Sequence, residues 1–250
     1  MNTVETVDKA AAALVRLRER RPLVCCLTNT VAANFTANAL LALGARPAMV
    51  EEPSEAAELV AFLGERTSSS VDGPGGALLV NVGTLTERQA NVMRAAVRAA
   101  NAADVPWVLD PVAADKLAFR REFVLEMLNE KPMLVRGNSA ETAALSDALK
   151  GLAVLSTGPV DDACGFKIAN GVELLTRVTA TGCAQGAIAA AFCAVEQDAA
   201  VAAVAASLAM SLAGEAAFAC AKRPGGFQLA LLDALDELTP DDFRKKARFV

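Results

Sequence analysis

Short apolar runs alternate with longer stretches of helical spacing along most of this chain. Apolar runs bounded by polar or turn residues suit strands buried on both faces, and the helically spaced stretches between them suit crossovers, so the pattern predicts parallel strands joined by helices. The predicted strands cover residues 23–27, 47–50, 77–82, 106–110, 133–135 and 152–157, and the predicted helices 33–43, 54–65, 86–103, 119–129 and 139–148. Ser54 before Glu55 and Thr86 before Glu87 fit as helix N-caps. Such a sheet is mostly parallel and carries helices on both faces.

After residue 157 the pattern changes. The runs 165–168 and 172–175 flank Ala169-Asn170-Gly171, and an Asn-Gly pair between apolar runs predicts a hairpin, hence an antiparallel edge on the sheet. Further helices are predicted over 182–195, 199–221 and 226–238. Residues 68–76, rich in Ser and Gly, predict a loop, and the first twenty residues, alternating charge with alanine, predict a surface helix. Neither a linker nor a repeat interrupts the series, and 250 residues suit one core, so one domain spanning 1–250 is expected.

Composition narrows the function. Apolar residues make up 54% of the chain but aromatic ones only 4%; the excess is mostly alanine, which favours closely packed helices over a core of rings. Lys and Arg number 24 against 29 Asp and Glu, and no long basic run offers a face for duplex nucleic acid. The most apolar region, 183–220, is interrupted by Glu196, Gln197 and Asp198, so it predicts two buried helices rather than a membrane span. The first twenty residues lack the continuous apolar core of a secretory signal. Six cysteines without a CxxC pair, and no histidine to complete a zinc site, fit a reduced, cytoplasmic setting.

The absence of histidine also excludes Ser-His-Asp triads, HExxH metalloproteases and imidazole bases. With no tyrosine either, a proton acceptor must be Asp, Glu, Lys or Cys. The sharpest local signal is Val178-Thr179-Ala180-Thr181-Gly182-Cys183, which runs straight into an alanine-rich helix. Small residues there allow a tight turn whose backbone N–H groups converge on one anion, and the helix start would favour a thiolate at Cys183. The same spacing also describes an ordinary strand-to-helix turn. Asn138 and Glu141, at i and i+3 of a helix start, have the placement to hold a hydrated magnesium ion, with Asp110 joining them from a strand end. Equally, Glu141 can be a first-turn acid facing the helix dipole and Asp110 a capping carboxylate.

A set of blocks goes further than any one of these. The stretch from Thr28-Asn29-Thr30-Val31 to Arg46-Pro47-Ala48-Met49 resembles the N-terminal signature of hydroxyethylthiazole kinases. So do Asn81-Val82-Gly83-Thr84-Leu85, Leu109-Asp110-Pro111-Val112, Arg136-Gly137-Asn138-Ser139-Ala140-Glu141, Thr157-Gly158-Pro159-Val160-Asp161, the Thr-Gly-Cys turn and Pro224-Gly225-Gly226-Phe227-Gln228, in family order over roughly residues 20 to 240. The resemblance implies a ribokinase-like three-layer αβα fold, a homotrimer with sites at subunit interfaces, and transfer of the γ-phosphoryl of ATP to a thiazole alcohol in thiamine biosynthesis or salvage. It implies that Met49, with Asn29 and Val31, lines the thiazole pocket, that Arg120 after Phe119 and Thr157 bind ATP, and that Cys183 is the catalytic cysteine. On that reading Cys183 orients the hydroxyl and accepts its proton, while the Ala180-Thr181-Gly182 amides stabilise the phosphoryl in transit.

Several positions depart from the family pattern. Ala113-Ala114-Asp115-Lys116-Leu117 replaces a glycine-containing stretch, and Ala180 replaces a glycine where the backbone approaches substrate. Cys25, Thr30 and Arg46 also differ. These departures keep two alternatives open: a kinase for another small heterocyclic alcohol, and a weakened paralogue that binds nucleotide or thiazole without efficient turnover. Cys25-Cys26 suggests redox chemistry on its face, but vicinal cysteines in a buried strand are more simply small core hydrophobes.

Overall fold

The computed structural model of the protein describes residues 2–69 and 75–250. An eight-stranded sheet runs through it in the order β2-β1-β3-β4-β5-β6-β7-β8, formed by Leu23–Leu27 (β1), Arg46–Met49 (β2), Gly76–Asn81 (β3), Trp107–Asp110 (β4), Leu134–Asn138 (β5), Val154–Thr157 (β6), Asp161–Ala163 (β7) and Phe166–Ile168 (β8). The first six strands are parallel and the last two antiparallel. Helices cover both faces, as the alternation of apolar runs and helical spacing requires. With period-2 side chains, Val24, Cys26, Leu79, Val108 and Leu134 enter one core, while Cys25, Leu27, Leu78, Val80, Leu109 and Val135 enter the other.

That alternation disposes of the Cys25-Cys26 pair. The two side chains are buried on opposite faces of β1, burial pushes the Cys25 thiol up to about 12 and Cys26 higher than its ordinary range, and both act as core hydrophobes.

The first face is built on alanine. Helix α1 (Thr3–Arg20), α2 (Ala33–Leu43), α7 (Thr181–Cys193), α8 (Ala199–Cys220), α9 (Pro224–Glu237) and α10 (Pro240–Lys246) pack there; α3 (Pro53–Ser69), α4 (Glu87–Ala102) and α5 (Ala118–Asn129) cover the other face. Every residue of α8 from 201 to 214 is buried. A helix apolar all round belongs inside a protein, and α8, although long and apolar enough to cross a membrane, is 83% buried within the fold over its most apolar window. Its neighbour α7 is likewise buried from 184 to 193.

Four expectations need correction. Helix α1 is not a surface helix: Ala10, Ala11, Leu14 and Leu17 form a fully buried stripe against α8 and α10, because alanine at helical spacing supplies an apolar face even among charges. The hairpin lies earlier than Asn170-Gly171. Strands β7 and β8 turn at Cys164 and Gly165, both with positive φ, while 173–177 is a 3-10 helix. Helix α3 begins at Pro53, so Ser54 stands inside its first turn rather than capping it, and proline at the first position fits because its missing N–H has no intrahelical partner there. Of the predicted loop 68–76, Ser68 and Ser69 belong to α3 and Gly76 opens β3; residues 70–74 lie outside the described residues. Thr86 does cap α4, in a reciprocal box with Gln89.

Asn170 instead anchors the end of the chain. Its amide donates to the Lys246 carbonyl at 3.0 Å, its oxygen accepts the Arg248 N–H at 2.7 Å, and Glu215 on α8 accepts the Gly171 N–H at 2.7 Å and pairs with Arg248. Ile168 bridges to Phe249. Burial alone would push the Glu215 carboxyl up, but Arg248 and the Gly171 amide hold it below the usual range.

Helix α7 crosses the sheet through Gly186, where an added Cβ would stand 3.1 Å from Asp110 Oδ2 and 3.4 Å from Leu79 Cδ1. Gly186→Val should therefore overpack this crossing and destabilise the fold by about 1–3 kcal/mol in denaturant unfolding. A change within experimental error would mean that α7 can lift from the sheet without cost.

Candidate active site

Parallel strands end at one edge of the sheet, and in an open α/β sheet ligands gather there. Asn29 follows β1, Asn81 ends β3, Asp110 ends β4, Asn138 ends β5 and Thr157 ends β6. The register places Asn81 beside Asp110 and Asn138 beside Thr157. The start of α7 lies against the same edge: a Cβ added at Gly182 would stand 2.9 Å from an Arg136 guanidinium nitrogen.

A buried chain of hydrogen bonds links these ends. Asn29 Nδ2 donates to Cys183 Sγ at 3.3 Å and to Asn81 Oδ1 at 2.9 Å, and Asn81 Nδ2 donates to Asp110 Oδ2 at 2.7 Å. The Asn29 and Asn81 oxygens also accept the backbone N–H groups of Ala32 and Gly83. Cys183 is thus held from the sheet side by a carboxamide whose own position is fixed twice over.

The thiolate expected at Cys183 is not favoured in this surrounding. Burial pushes the Cys183 thiol above its ordinary range and the Asp110 carboxyl pushes it further, outweighing the amides of Asn81 and Asn29 and the charge of Arg136. The Asp110 carboxyl is itself pushed up to about 7, first by complete burial, against the opposing pull of Arg136, whose guanidinium approaches to 3.8 Å. Glu141 nearby adds to the upward push.

Glu141 and Asn138 form a reciprocal capping box at the start of the short helix α6 (Ser139–Ala144). Asn138 Oδ1 accepts the Ala140 and Glu141 N–H groups, and Glu141 accepts the Asn138 N–H at 2.8 Å and the Ala113 N–H at 2.8 Å. The capping reading therefore holds in geometry. Ala113 adopts φ 58° and Ala180 φ 71°, the left-handed region that glycine enters freely and alanine only at about 1–2 kcal/mol. The loop after β4 keeps a glycine-like backbone without its glycines, with Glu141 securing Ala113.

A cavity of about 770 Å³ opens beside this edge, lined among others by Arg136, Asn138, Thr157, Asp161, Thr181 and Gly182, with Asn170 and Gly171 in its wall. Of the residues chosen from sequence, Asn138, Thr157, Thr181 and Gly182 face this cavity. Arg120 does not line it; its guanidinium holds the Val112 carbonyl at 3.1 Å. Met49 and Val31 lie apart, 38% and 64% exposed, with Met49 at the end of the edge strand β2. Among the described residues no cluster of three potential metal-ligating side chains forms.

Sequence reading assigned no role to Asn81, Arg136, Asp161 or Gln185. Each carries a signal in hindsight: Asn81 ends a wholly apolar run, Arg136 places a charge where β5 should be apolar, Gln185 is a polar residue one turn into an alanine helix, and Asp161 follows Thr157 at i+4. Asp161 accepts the Gly158 N–H and the Ser207 hydroxyl, and burial pushes its carboxyl up.

A mostly parallel sheet covered by helices on both faces, with a glycine-containing helix start at its carboxyl edge, has the ribokinase-like three-layer αβα arrangement. A solved ribokinase-like superfamily protein from Enterococcus faecalis V583 shares that fold at TM-score 0.63 and 12% identity, over 89% of each chain. The likeness to the hydroxyethylthiazole kinase protein from Pyrococcus horikoshii OT3 is much nearer: TM-score 0.86 and 36% identity, covering 96% of this chain and 98% of that one. Hydroxyethylthiazole kinase from Serratia proteamaculans is 42% identical over 94% of this chain and 96% of its own length, and that from Akkermansia muciniphila 38% identical over 100% and 99%. The profile of the hydroxyethylthiazole kinase family matches residues 14–164 and 150–241. The chain belongs to the hydroxyethylthiazole kinase family.

The proton on Asp110 gives a test of the buried network. In the unfolded chain this carboxyl ionises near 4, whereas in the folded protein it keeps its proton to about 7, so the folded state binds more protons between those values and stability falls as pH rises through that window. Asp110→Asn should flatten the dependence of Tm on pH between 4 and 7. An unchanged slope would show that the carboxyl is ionised throughout.

Proposed function

We propose that the whole chain acts as one kinase that transfers the γ-phosphoryl of ATP to the primary alcohol of 4-methyl-5-(2-hydroxyethyl)thiazole, serving thiamine biosynthesis or salvage. One observation carries this reading: the helix start at Thr181 and Gly182 belongs to the cavity wall, and the next residue, Cys183, accepts from Asn29 in the buried polar chain. ATP occupies the cavity, with Thr157 and Arg136 toward its phosphates and Arg120 approaching it from α5. The thiazole alcohol lies at Cys183, with Asn29 beside it and Ala180 at the turn.

In the transfer, the alcohol oxygen bonds to the γ-phosphorus as the bond to the bridging oxygen of ADP breaks. ADP leaves with that electron pair, and the hydroxyl proton passes to the Cys183 sulfur. Because phosphoryl transfer depends chiefly on positioning and charge, a thiol that ionises reluctantly can still serve, provided the reactive fraction is its thiolate. The amides of Thr181 and Gly182 offset the charge on the phosphoryl oxygens.

The residues present fit a hydrated magnesium ion. Asp110 Oδ1 is buried without a partner, and Asp110 and Glu141 are two buried acids whose mutual repulsion a cation relieves. Such an ion keeps several of its waters, so Asp110 and Glu141 would hold it, with Asn138 contributing by fixing Glu141, since the Asn138 oxygen already accepts two amides. When bound, magnesium would offset the charge of the ATP phosphates.

Met49 and Val31, exposed in one chain, support the further reading that a neighbouring copy completes the thiazole pocket in a homotrimer. Six free cysteines support a reduced, cytoplasmic setting.

Purified protein given ATP and magnesium should form ADP only when the thiazole is added; formation with hydroxymethylpyrimidine or pyridoxal but not with the thiazole would redirect the reading to another heterocyclic alcohol. ATP binding with no turnover on any alcohol would point to the weakened paralogue. Because the thiol is pushed up, kcat should climb through the alkaline range; Cys183→Asp should move that limb to acid pH, and an unmoved limb would remove Cys183 from proton transfer. Light scattering should give a mass near three times 25.8 kDa, and a monomer with full activity would exclude the shared pocket.

A further inference from the structure

Arg136 stands where the nucleotide cavity meets the polar chain at Cys183. It lies on β5, is 8% exposed, and lines the cavity. One terminal nitrogen donates to Thr157 Oγ1 at 2.9 Å and Gln185 Oε1 at 3.1 Å; the other lies 3.8 Å from Asp110 Oδ2. Nε, fully enclosed, has no partner.

A guanidinium brings five N–H donors in a planar fork, so these partners leave part of the fork unused, and a buried cation with unused donors is costly to a protein unless an anion completes it. Thr157 and Gln185 are neutral, and Asp110, at 3.8 Å, stays beyond hydrogen-bond distance of the fork.

The start of α7 meets the same fork. A Cβ added at Gly182 would come within 2.9 and 3.1 Å of its two terminal nitrogens, so only glycine leaves the guanidinium and the helix-start amides this close. Helix α7 begins with no side-chain cap on its first amides. Uncapped amides from one element thus stand against a guanidinium with unused donors from another.

We infer that Arg136 is a catalytic residue whose guanidinium, together with the amides at the start of α7, binds the γ-phosphoryl group of ATP and follows it to the acceptor oxygen. The inference rests on the kinase reading above. Arg136 exchanges no proton: the phosphorus leaves the bridging oxygen for the alcohol oxygen, the alcohol proton goes elsewhere, and the guanidinium meets the charge spread over the three remaining oxygens. Gln185 and Thr157 keep the fork in plane, and Asp110 holds its inner edge.

Binding and turnover separate this role from a structural one. ATP, ADP and AMP are titrated into wild-type protein and Arg136→Gln without acceptor, and kcat is measured with acceptor. The expected result is a loss of about 100-fold or more in kcat, with the preference for ATP over ADP abolished and AMP affinity unchanged. AMP weakened as much as ATP, or kcat within about threefold of wild type, would overturn the assignment. Arg136→Lys keeps the charge and guards against misfolding; it should also lose turnover, because an ammonium cannot present the fork, and wild-type kcat in this variant overturns the claim as well. If the thiazole proves not to be the acceptor, the ATP-to-ADP preference still reports on Arg136, so the two readings fail separately.

Discussion

The site depends on satisfying polar groups that the sheet has carried out of water. Parallel strands β1, β3, β4 and β5 are covered on both faces, so whatever stands at their carboxyl ends is enclosed, and each polar atom there needs a partner. Asn29, Asn81 and Asp110 answer one another in series, each carboxamide using both its ends. The chain ends at a sulfur on one side and beside a guanidinium on the other. What is left unmatched is Asp110 Oδ1 and Arg136 Nε, both buried at this edge.

Alanine makes the helical layer thin enough for this. Helix α7 must lie close to the sheet for Gly182 and Gly186 to meet Arg136 and Asp110, and its other neighbours are α2 and the alanine-rich α8. A core of large rings would hold the helix further away. The composition that first suggested closely packed helices is thus also the condition for the close approach of the start of α7 to Arg136.

Much of this was legible from the order of residues. The strands and crossovers follow from apolar runs, because a strand buried on both faces needs one, and the carboxyl-edge placement of Asp110, Asn138 and Thr157 follows from parallel topology. The family blocks marked Cys183. What could not be read was which long-range partner each polar residue takes. Asn170-Gly171 has hairpin chemistry, yet Asn170 is claimed by Glu215 and the Lys246–Arg248 backbone, and the real turn at Cys164-Gly165 lacks the usual pair. The helix dipole at Cys183 argued for a thiolate, and burial beside Asp110 outweighed it. Arg136 sat inside a quoted motif without a role, since only the approach of α7, some 45 residues later, shows what its charge faces.

The tie between Asn170, Glu215 and Arg248 bears on how the cavity comes into being. Asn170 and Gly171 stand in its wall, but the groups that fix them are separated from them by 44 to 78 positions. A ribosome must therefore have released the polypeptide past Arg248 before that wall can set, long after the sheet edge has been synthesised. Nascent chains will carry the polar strand ends well before they can complete the cavity wall, and the sequence distance between the two sets the interval.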